Sequence, residues 1–533
     1  MFRMRGLLGL GALACGVLGV NAASASSSDP SAFNPAAAYF ASHEVGSSGA
    51  TATTIDVPPA TPGRPCGPGS FPETTQGRAP LADFSDGRAL KGYTCNAELV
   101  SRTGRSGGYR THIYTDVQGH TCAYYDDTNV YGQSTLLHGE YGTVVVDMTH
   151  PEHPVQTARL VTQAFAMPHE SMTISPERGL LMAAASTNAT GPAEVDIYSL
   201  KDDCRYPELL SSSPLGILGH EGNVTADGKT YWVSSNSGGV IAAVDISNPS
   251  LPSIIYFSAG QMVLHGLSLS PDGKTLYGAA NGNYKGLQIF DVSQVQERKA
   301  LPTVTLVSQV TWPEVSIPQT TMPIVVKGHD YVVEVDEYAG AVSNDPTAPV
   351  GGARIIDVED PKHPHVVANL RLQVDEPANR LGDQVNDPNA NNQFVGYAAH
   401  YCSVPRLVDP ELVACSFLAS GLRVFNISDP LHPVEVAYFN HPQDKPGDTS
   451  GSGSFSQPAW DLARQSVWFA DGNHAFFDVR LTNGVWPKDL RAPSAKRGTG
   501  TTSSTAQLVG SSAEQVVSTT SQAYDQLYAA MGK

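Results

Sequence analysis

Four histidines recur at the head of similar apolar runs: His169-Glu-Ser-Met-Thr-Ile174, His220-Glu-Gly-Asn-Val-Thr225, His265-Gly-Leu-Ser-Leu269 and His400-Tyr-Cys-Ser-Val404. His112, in Tyr109-Arg-Thr-His-Ile-Tyr114, reads as a fifth member, and Glu170 and Glu221 directly follow two of the others. Imidazole is the commonest protein ligand of copper, iron and zinc. If the rings meet, His112, His169, His220, His265 and His400 form a metal site, with copper or iron as the expected ion. Glu170 and Glu221 would then be its catalytic carboxylates, as acid–base helpers or as acceptors that orient the rings. The competing reading is structural: a repeat keeps histidine at one position because the ring packs and hydrogen-bonds a neighbouring backbone. No Gly-x-Ser-x-Gly elbow, phosphate loop or dinucleotide fingerprint offers a different chemistry.

Convergence requires a scaffold that brings distant segments to one point, and the chain carries one. Five strand-like runs end alike: Thr143-Val-Val-Val-Asp147, Ile241-Ala-Ala-Val-Asp245, Leu287-Gln-Ile-Phe-Asp291, Ala353-Arg-Ile-Ile-Asp357 and Leu422-Arg-Val-Phe-Asn426. Ala193-Glu-Val-Asp196 and Ala475-Phe-Phe-Asp478 are weaker copies, giving seven units separated by 49, 49, 46, 66, 69 and 52 residues. Turns such as Ser247-Asn-Pro249 and Ser428-Asp-Pro430 follow the strand, and hairpins such as Ser270-Pro-Asp-Gly-Lys274 precede it. Those residues supply turn conformations that antiparallel strands need, and the terminal Asp reads as a turn cap. Self-similarity at this period, with about four short strands per unit, predicts an all-β, seven-bladed β-propeller of four-stranded blades. The innermost strand of each blade lines the axis, so histidines heading those strands form a ring.

The strand copies, with their acidic end, turn proline and following strand, resemble the LVIVD repeat over roughly Arg110 to Arg480. That resemblance implies a propeller in an exported bacterial protein and leaves the activity open.

Residues 1–25 read as a secretory signal peptide: Arg3 and Arg5, an apolar run from Gly6 to Val20, and a small-residue cleavage site. Residues 26–92, rich in Ala, Ser, Pro and Gly, read as a flexible arm. The propeller is expected over 93–487, with Tyr93 to Ser101 closing the last blade. Residues 488–533 form a Ser/Thr-rich tail with a helix expected from Ala513 to Met531. Asp375 to Asn392 shows no strand or helix pattern and reads as an excursion loop of functional kind.

The chain has 51 acidic against 33 basic residues and no basic stripe, which argues against a nucleic-acid partner and an anionic membrane surface. No segment after the signal could span a membrane. Of seven cysteines, six follow the signal, an even count that suits disulfides in a secreted or periplasmic protein. Cys402 and Cys415 flank one hairpin turn almost symmetrically and are expected to pair, as are Cys66 with Cys95 and Cys122 with Cys204. Glu334, Asp336 and Glu337 in blade five read as a solvated edge, with Ca²⁺ as the alternative. Two functions stand. One is a metal-dependent oxidoreductase acting on a small-molecule substrate. The other is a non-catalytic binding or cell-surface protein whose propeller face takes a protein or glycan ligand.

Overall fold

In five units the repeat's terminal side chain turns back on the chain. Asp147, Asp245, Asp291, Asp357 and Asn426 each accept a hydrogen bond from the backbone N–H two residues on, at 2.8–3.0 Å. Asn426 does this as well as the aspartates, so the repeat selects a short side-chain oxygen and not a charge. The turn ends the third strand and starts the fourth. In the computed structural model, which describes residues 58–127, 142–186, 193–235, 239–282, 284–312, 317–337, 352–376, 378–379 and 396–490, these turns belong to seven antiparallel sheets. The predicted signal, the tail with its helix and most of the 375–392 loop lie outside the described residues.

Blades one to five are four-stranded, in sequential order from axis to rim, and blade seven also has four strands. Blade one runs Thr111–Thr115, Thr121–Asp126, Thr143–Asp147 and Val155–Leu160. The axial strands of blades two to six are Thr173–Ser175, Glu221–Val224, Leu264–Leu269, Ile317–Val326 and Ala399–Ser403. Blade seven is closed by a strand from the beginning of the domain: Ala97–Thr103 pairs with Phe476–Leu481. The other part of the expected closing segment behaves differently. Tyr93–Cys95 adds a fifth strand to the edge of blade six.

Every pairing of third with fourth strand shifts register once, with one extra residue on the outer strand, such as Thr157, Ile255 or Val436. Such bulges sharpen the twist that lets neighbouring blades nest. The core is correspondingly divided. Seven separate apolar clusters lie between successive blades, among them Val333, Ile355, Val413 and Phe417 between blades five and six.

Two weak copies of the repeat are out of register, although the blade count holds. Blade two ends its third strand at Ser199, whose hydroxyl caps Lys201 N–H; Asp196 sits three residues earlier and bonds Ala164 N–H and Ser212. Asp478 likewise lies inside its strand, and burial, the largest influence, pushes its carboxyl up to about 7. A carboxyl raised in the folded state is penalised once pH exceeds its unfolded value, and the penalty is complete above its folded one. Asp478→Asn is therefore expected to match the parent near pH 4 and to be more stable near pH 8, by on the order of 2 to 4 kcal/mol. Thermal melts at the two pH values check this; equal shifts at both would contradict it.

The described part of the arm is not a loose tether. Residues 58–92 cross blades five and six, with Thr61 N–H on Arg371 O at 2.9 Å and Arg64 N–H on Glu435 O at 2.7 Å. A helix, Leu81–Asp86, buries Phe84 beside Tyr93, Cys95 and Tyr438. The arm's Glu73 reaches buried Arg423 of blade six (3.0 Å), which also pairs with Glu435 (3.2 Å) and lies over the Tyr438 ring. All three expected disulfides form: Cys66–Cys95, Cys122–Cys204 and Cys402–Cys415. Among the described residues no helix is long and apolar enough to cross a membrane.

Candidate metal centre

Each axial strand approaches the centre at its first residues, and the parallel bridges Arg110↔Gln457 and Glu170↔Glu221 set the equivalence between blades. In that register Tyr109, His169, His220, His265, Pro318, His400 and Ser456 share one height. Arg110, Glu170, Glu221, Gly266, Gln319, Tyr401 and Gln457 form the layer beneath. Four of the five predicted histidines therefore meet. Ring centroids are 4.4 Å apart for His169–His220 and 4.6 Å for His220–His265. His400 joins from blade six through carboxylates it shares with His265.

Glu170 rises from the lower layer into the cluster. Its carboxylate lies 3.2 Å from His220 Nε2, 3.4 Å from His400 Nε2, 3.8 Å from His265 Nε2 and 3.9 Å from His169 Nδ1. A second carboxylate comes from Glu337, 3.1 Å from His400 Nε2 and 3.4 Å from His265 Nε2. Blade five has Pro318 where its neighbours have histidine. Glu337, on the adjoining strand His329–Glu337 and paired with Ile317, supplies that sector instead. Sequence reading placed Glu337 on a solvated edge, whereas it is buried, as are Glu334 and Asp336, which pair with Arg354 under Trp312. The spacing signal was present: a carboxylate at the end of a second strand in the one central blade whose axial residue cannot ligate.

His112 is placed elsewhere. It lies three residues past the ring position, which Tyr109 occupies, and its Nε2 faces Met172 O at 3.0 Å. Burial, then Arg110, lowers its pKa to about 4, as befits a neutral structural histidine. Glu221 also stands outside the cluster, in the floor. Its carboxylate accepts from Thr320 (2.8 Å) and Tyr401 (3.2 Å) and pairs with Arg110 (3.2 Å). Arg110 is further held by Gln457 at 2.9 Å and lies under the Tyr401 ring. Gly266 has to be glycine here, since a Cβ would fall 1.9 Å from Glu221 Oε2 and 2.4 Å from Gln319 O. The floor is packed shut.

The protonation pattern of the collar is informative. His265 and His400 donate Nδ1–H to Pro318 O (3.0 Å) and Phe455 O (2.7 Å), a common device for orienting metal-bound imidazole. In their neutral forms the Nε2 lone pairs then face carboxylate oxygens. Buried His220 Nε2 and His169 Nδ1 likewise face Glu170 Oε2, at 3.2 and 3.9 Å. Acceptor opposite acceptor requires a proton or a cation between them. Without a cation, protons must serve. Burial opposes the charged His220 and His400, but Glu170 and Glu337 respectively outweigh it and raise both. Burial likewise opposes ionisation of Glu170, yet His220, His169 and His400 hold its carboxyl well below the usual range. A divalent ion would satisfy the same atoms without imidazolium. His169, Glu170 and His220 already place ligand atoms within 4.8 Å of one another. Asp116, His120 and Asp203 are similarly close, but their atoms are spent on Cys204 N–H, Gln118 N–H and Arg205.

No protein-family model and no curated protein match the chain. Among solved structures it is similar to a candidate 6-phosphogluconolactonase from Bacteroides uniformis, at 11% identity and TM-score 0.43, covering 66% of this chain and 88% of that one. It is also similar to the β-propeller domain of Myceliophteria thermophila Cps50, at 11% identity and TM-score 0.44, with 72% and 98% covered. A third is Kuenenia stuttgartiensis hydrazine synthase, at 13% identity and TM-score 0.41, with 71% and 96% covered. At these levels the likenesses carry no argument about chemistry, and the seven blades rest on the chain's own sheets.

Proposed function

We propose that the chain is an exported metalloprotein whose axial collar holds one iron or copper ion and performs oxidoreductase chemistry on a small molecule. One observation carries this reading: two carbonyl-anchored histidines, His265 and His400, turn their Nε2 atoms toward buried Glu337 at 3.4 and 3.1 Å, with Glu170 and two further histidines beside them. His169, His220, His265 and His400 would hold the ion, with Glu170 and Glu337 as additional ligands or as the bases that accept a substrate proton. Mixed imidazole and carboxylate donors suit iron and copper, and either ion supplies one-electron exchange at such a site. Export is supported by three disulfides, by the signal-like start and by the resemblance of the strands to the LVIVD repeat.

Protein purified from the exported fraction without chelators is expected to carry close to one iron or copper atom per chain. Stripping it should lower the melting temperature, and adding the metal back should restore it, because an ion that binds only the folded state stabilises by mass action. Metal at background level, with no shift on adding either ion, would leave the collar as a proton-held structural cluster and end this reading.

A further inference from the structure

Seven side chains, one from each blade, surround the collar, with Phe455 standing beside Ser456 in blade seven and Glu337 in place of Pro318 in blade five. From Tyr109 the ring centroids step 4.1 Å to His169, then to His220 and His265. Glu337 bridges His265 to His400. Phe455 of blade seven lies 5.1 Å from His400 and 5.9 Å from Tyr109, and Tyr109 is 5.7 Å from His400. Blades two to six thus bring imidazole and carboxylate donors, while blades seven and one bring the aromatic rings of Phe455 and Tyr109, the latter a phenol. The arc from His400 round to His169 holds no imidazole or carboxylate among the described collar residues.

Access is just as one-sided. From below, Glu170 and the Arg110–Glu221–Tyr401 floor fill the axis. His265 and His400 are 3% and 0% exposed and Phe455 is buried, whereas His169 and His220 are 18% and 17% exposed. Among the described collar residues, exposure is therefore greatest in blades two and three, beside buried Tyr109. Among the described residues, the charges at the collar are the carboxylates of Glu170 and Glu337. The guanidinium of Arg110, in the layer beneath, is committed to Glu221 and Gln457.

We infer that the ion's exogenous ligand enters past His169 and His220, packs on Tyr109, and is a small uncharged molecule with a lone-pair donor atom. Tyr109 is the residue that sets its size. The inference rests on the metal reading above and deepens it. Two aromatic walls favour apolar bulk next to the donor atom, and two buried carboxylates cancel the charge of a divalent ion, leaving no net positive charge to draw in an anion.

The test uses the full chain loaded with cobalt(II), whose visible spectrum reports coordination, at mildly alkaline pH. Imidazole, benzimidazole and benzoate are titrated into the parent, Tyr109→Ala, the milder Tyr109→Leu, and Phe290→Leu. The last changes the interface of blades three and four and controls for general loosening. Benzimidazole is expected to bind about tenfold more tightly to Tyr109→Ala than to the parent, and Tyr109→Leu to fall between. Imidazole should change by less than about twofold, and Phe290→Leu should resemble the parent. Benzoate should leave every spectrum unchanged. If the parent takes up no cobalt, iron or copper, the metal reading fails. If cobalt binds and the benzimidazole preference is the same in both Tyr109 variants as in the parent, only the role of Tyr109 fails. Should Tyr109→Ala not retain cobalt, Tyr109→Leu alone decides. Benzoate binding as tightly as benzimidazole overturns the uncharged class.

Discussion

Alanine at both His169 and His220 is expected to lower bound iron or copper well below the roughly one atom per chain of the parent while the propeller stays folded. The two rings are the solvent-facing members of the collar. Their inward nitrogens face Glu170, at 3.9 Å from His169 Nδ1 and 3.2 Å from His220 Nε2. Removing them deletes half of the imidazole donors and leaves Glu170 and Glu337 facing His265 and His400, a set that holds a transition ion less tightly than the full collar. Stability of the metal-free protein should change little, because both side chains are partly exposed and Glu170 keeps His265 and His400 beside it. Elemental analysis with far-ultraviolet circular dichroism checks both halves. Unchanged metal would move the site elsewhere. Lost metal with lost β signal would make the histidines architectural.

The second large effect concerns the arm. Arg423 is fully buried between the carboxylates of Glu73 and Glu435, and Gln76 also donates to Glu435 at 2.8 Å. Burial already pushes the Glu73 carboxyl up, against the lowering influence of Arg423. Arg423→Ala leaves two acids in the interior without their countercharge, and breaking such a pair costs about 3 to 5 kcal/mol. The sign with pH follows from the same groups. With the guanidinium gone, the folded-state carboxyl pKa rises further above its unfolded value, so stability is lost as pH increases. The deficit should therefore be small near pH 4 and full near pH 8. Denaturant titrations at both values measure it. A pH-independent deficit would assign the loss to packing over Tyr438 instead. Combining Arg423→Met with Glu73→Gln and Glu435→Gln should recover much of the loss, since replacing a whole buried ionic group is far milder than halving it.

Much of this architecture was legible because propeller repeats are local. A strand, a short side-chain oxygen and a turn proline act within a few residues of one another, so Asp147, Asp245, Asp291, Asp357 and Asn426 announced both the turn and the blade. The hairpin symmetry of Cys402 and Cys415 is local in the same way, and they pair across adjacent strands. Register was less legible. Asp196 and Asp478 look like the repeat residue yet face the blade interior, because strand alternation alone does not say where a strand ends.

For the candidate site, the chain by itself determined that histidines head the axial strands of blades two, three, four and six, and that an axis exists for them to meet on. Only the tertiary structure decided which side chains stand at one height. That depends on how far each strand slides along its neighbours, a quantity fixed by contacts between blades and not within them. The slide puts Tyr109 and not His112 in the ring, drops Glu221 into the floor against Arg110, and lifts Glu337 into the gap left by Pro318. Arg423 makes the same point at the rim, since its partner Glu73 lies 350 residues away in sequence. Pairings of that separation leave no periodic trace in the chain, because they are selected by buried charge and not by repeat.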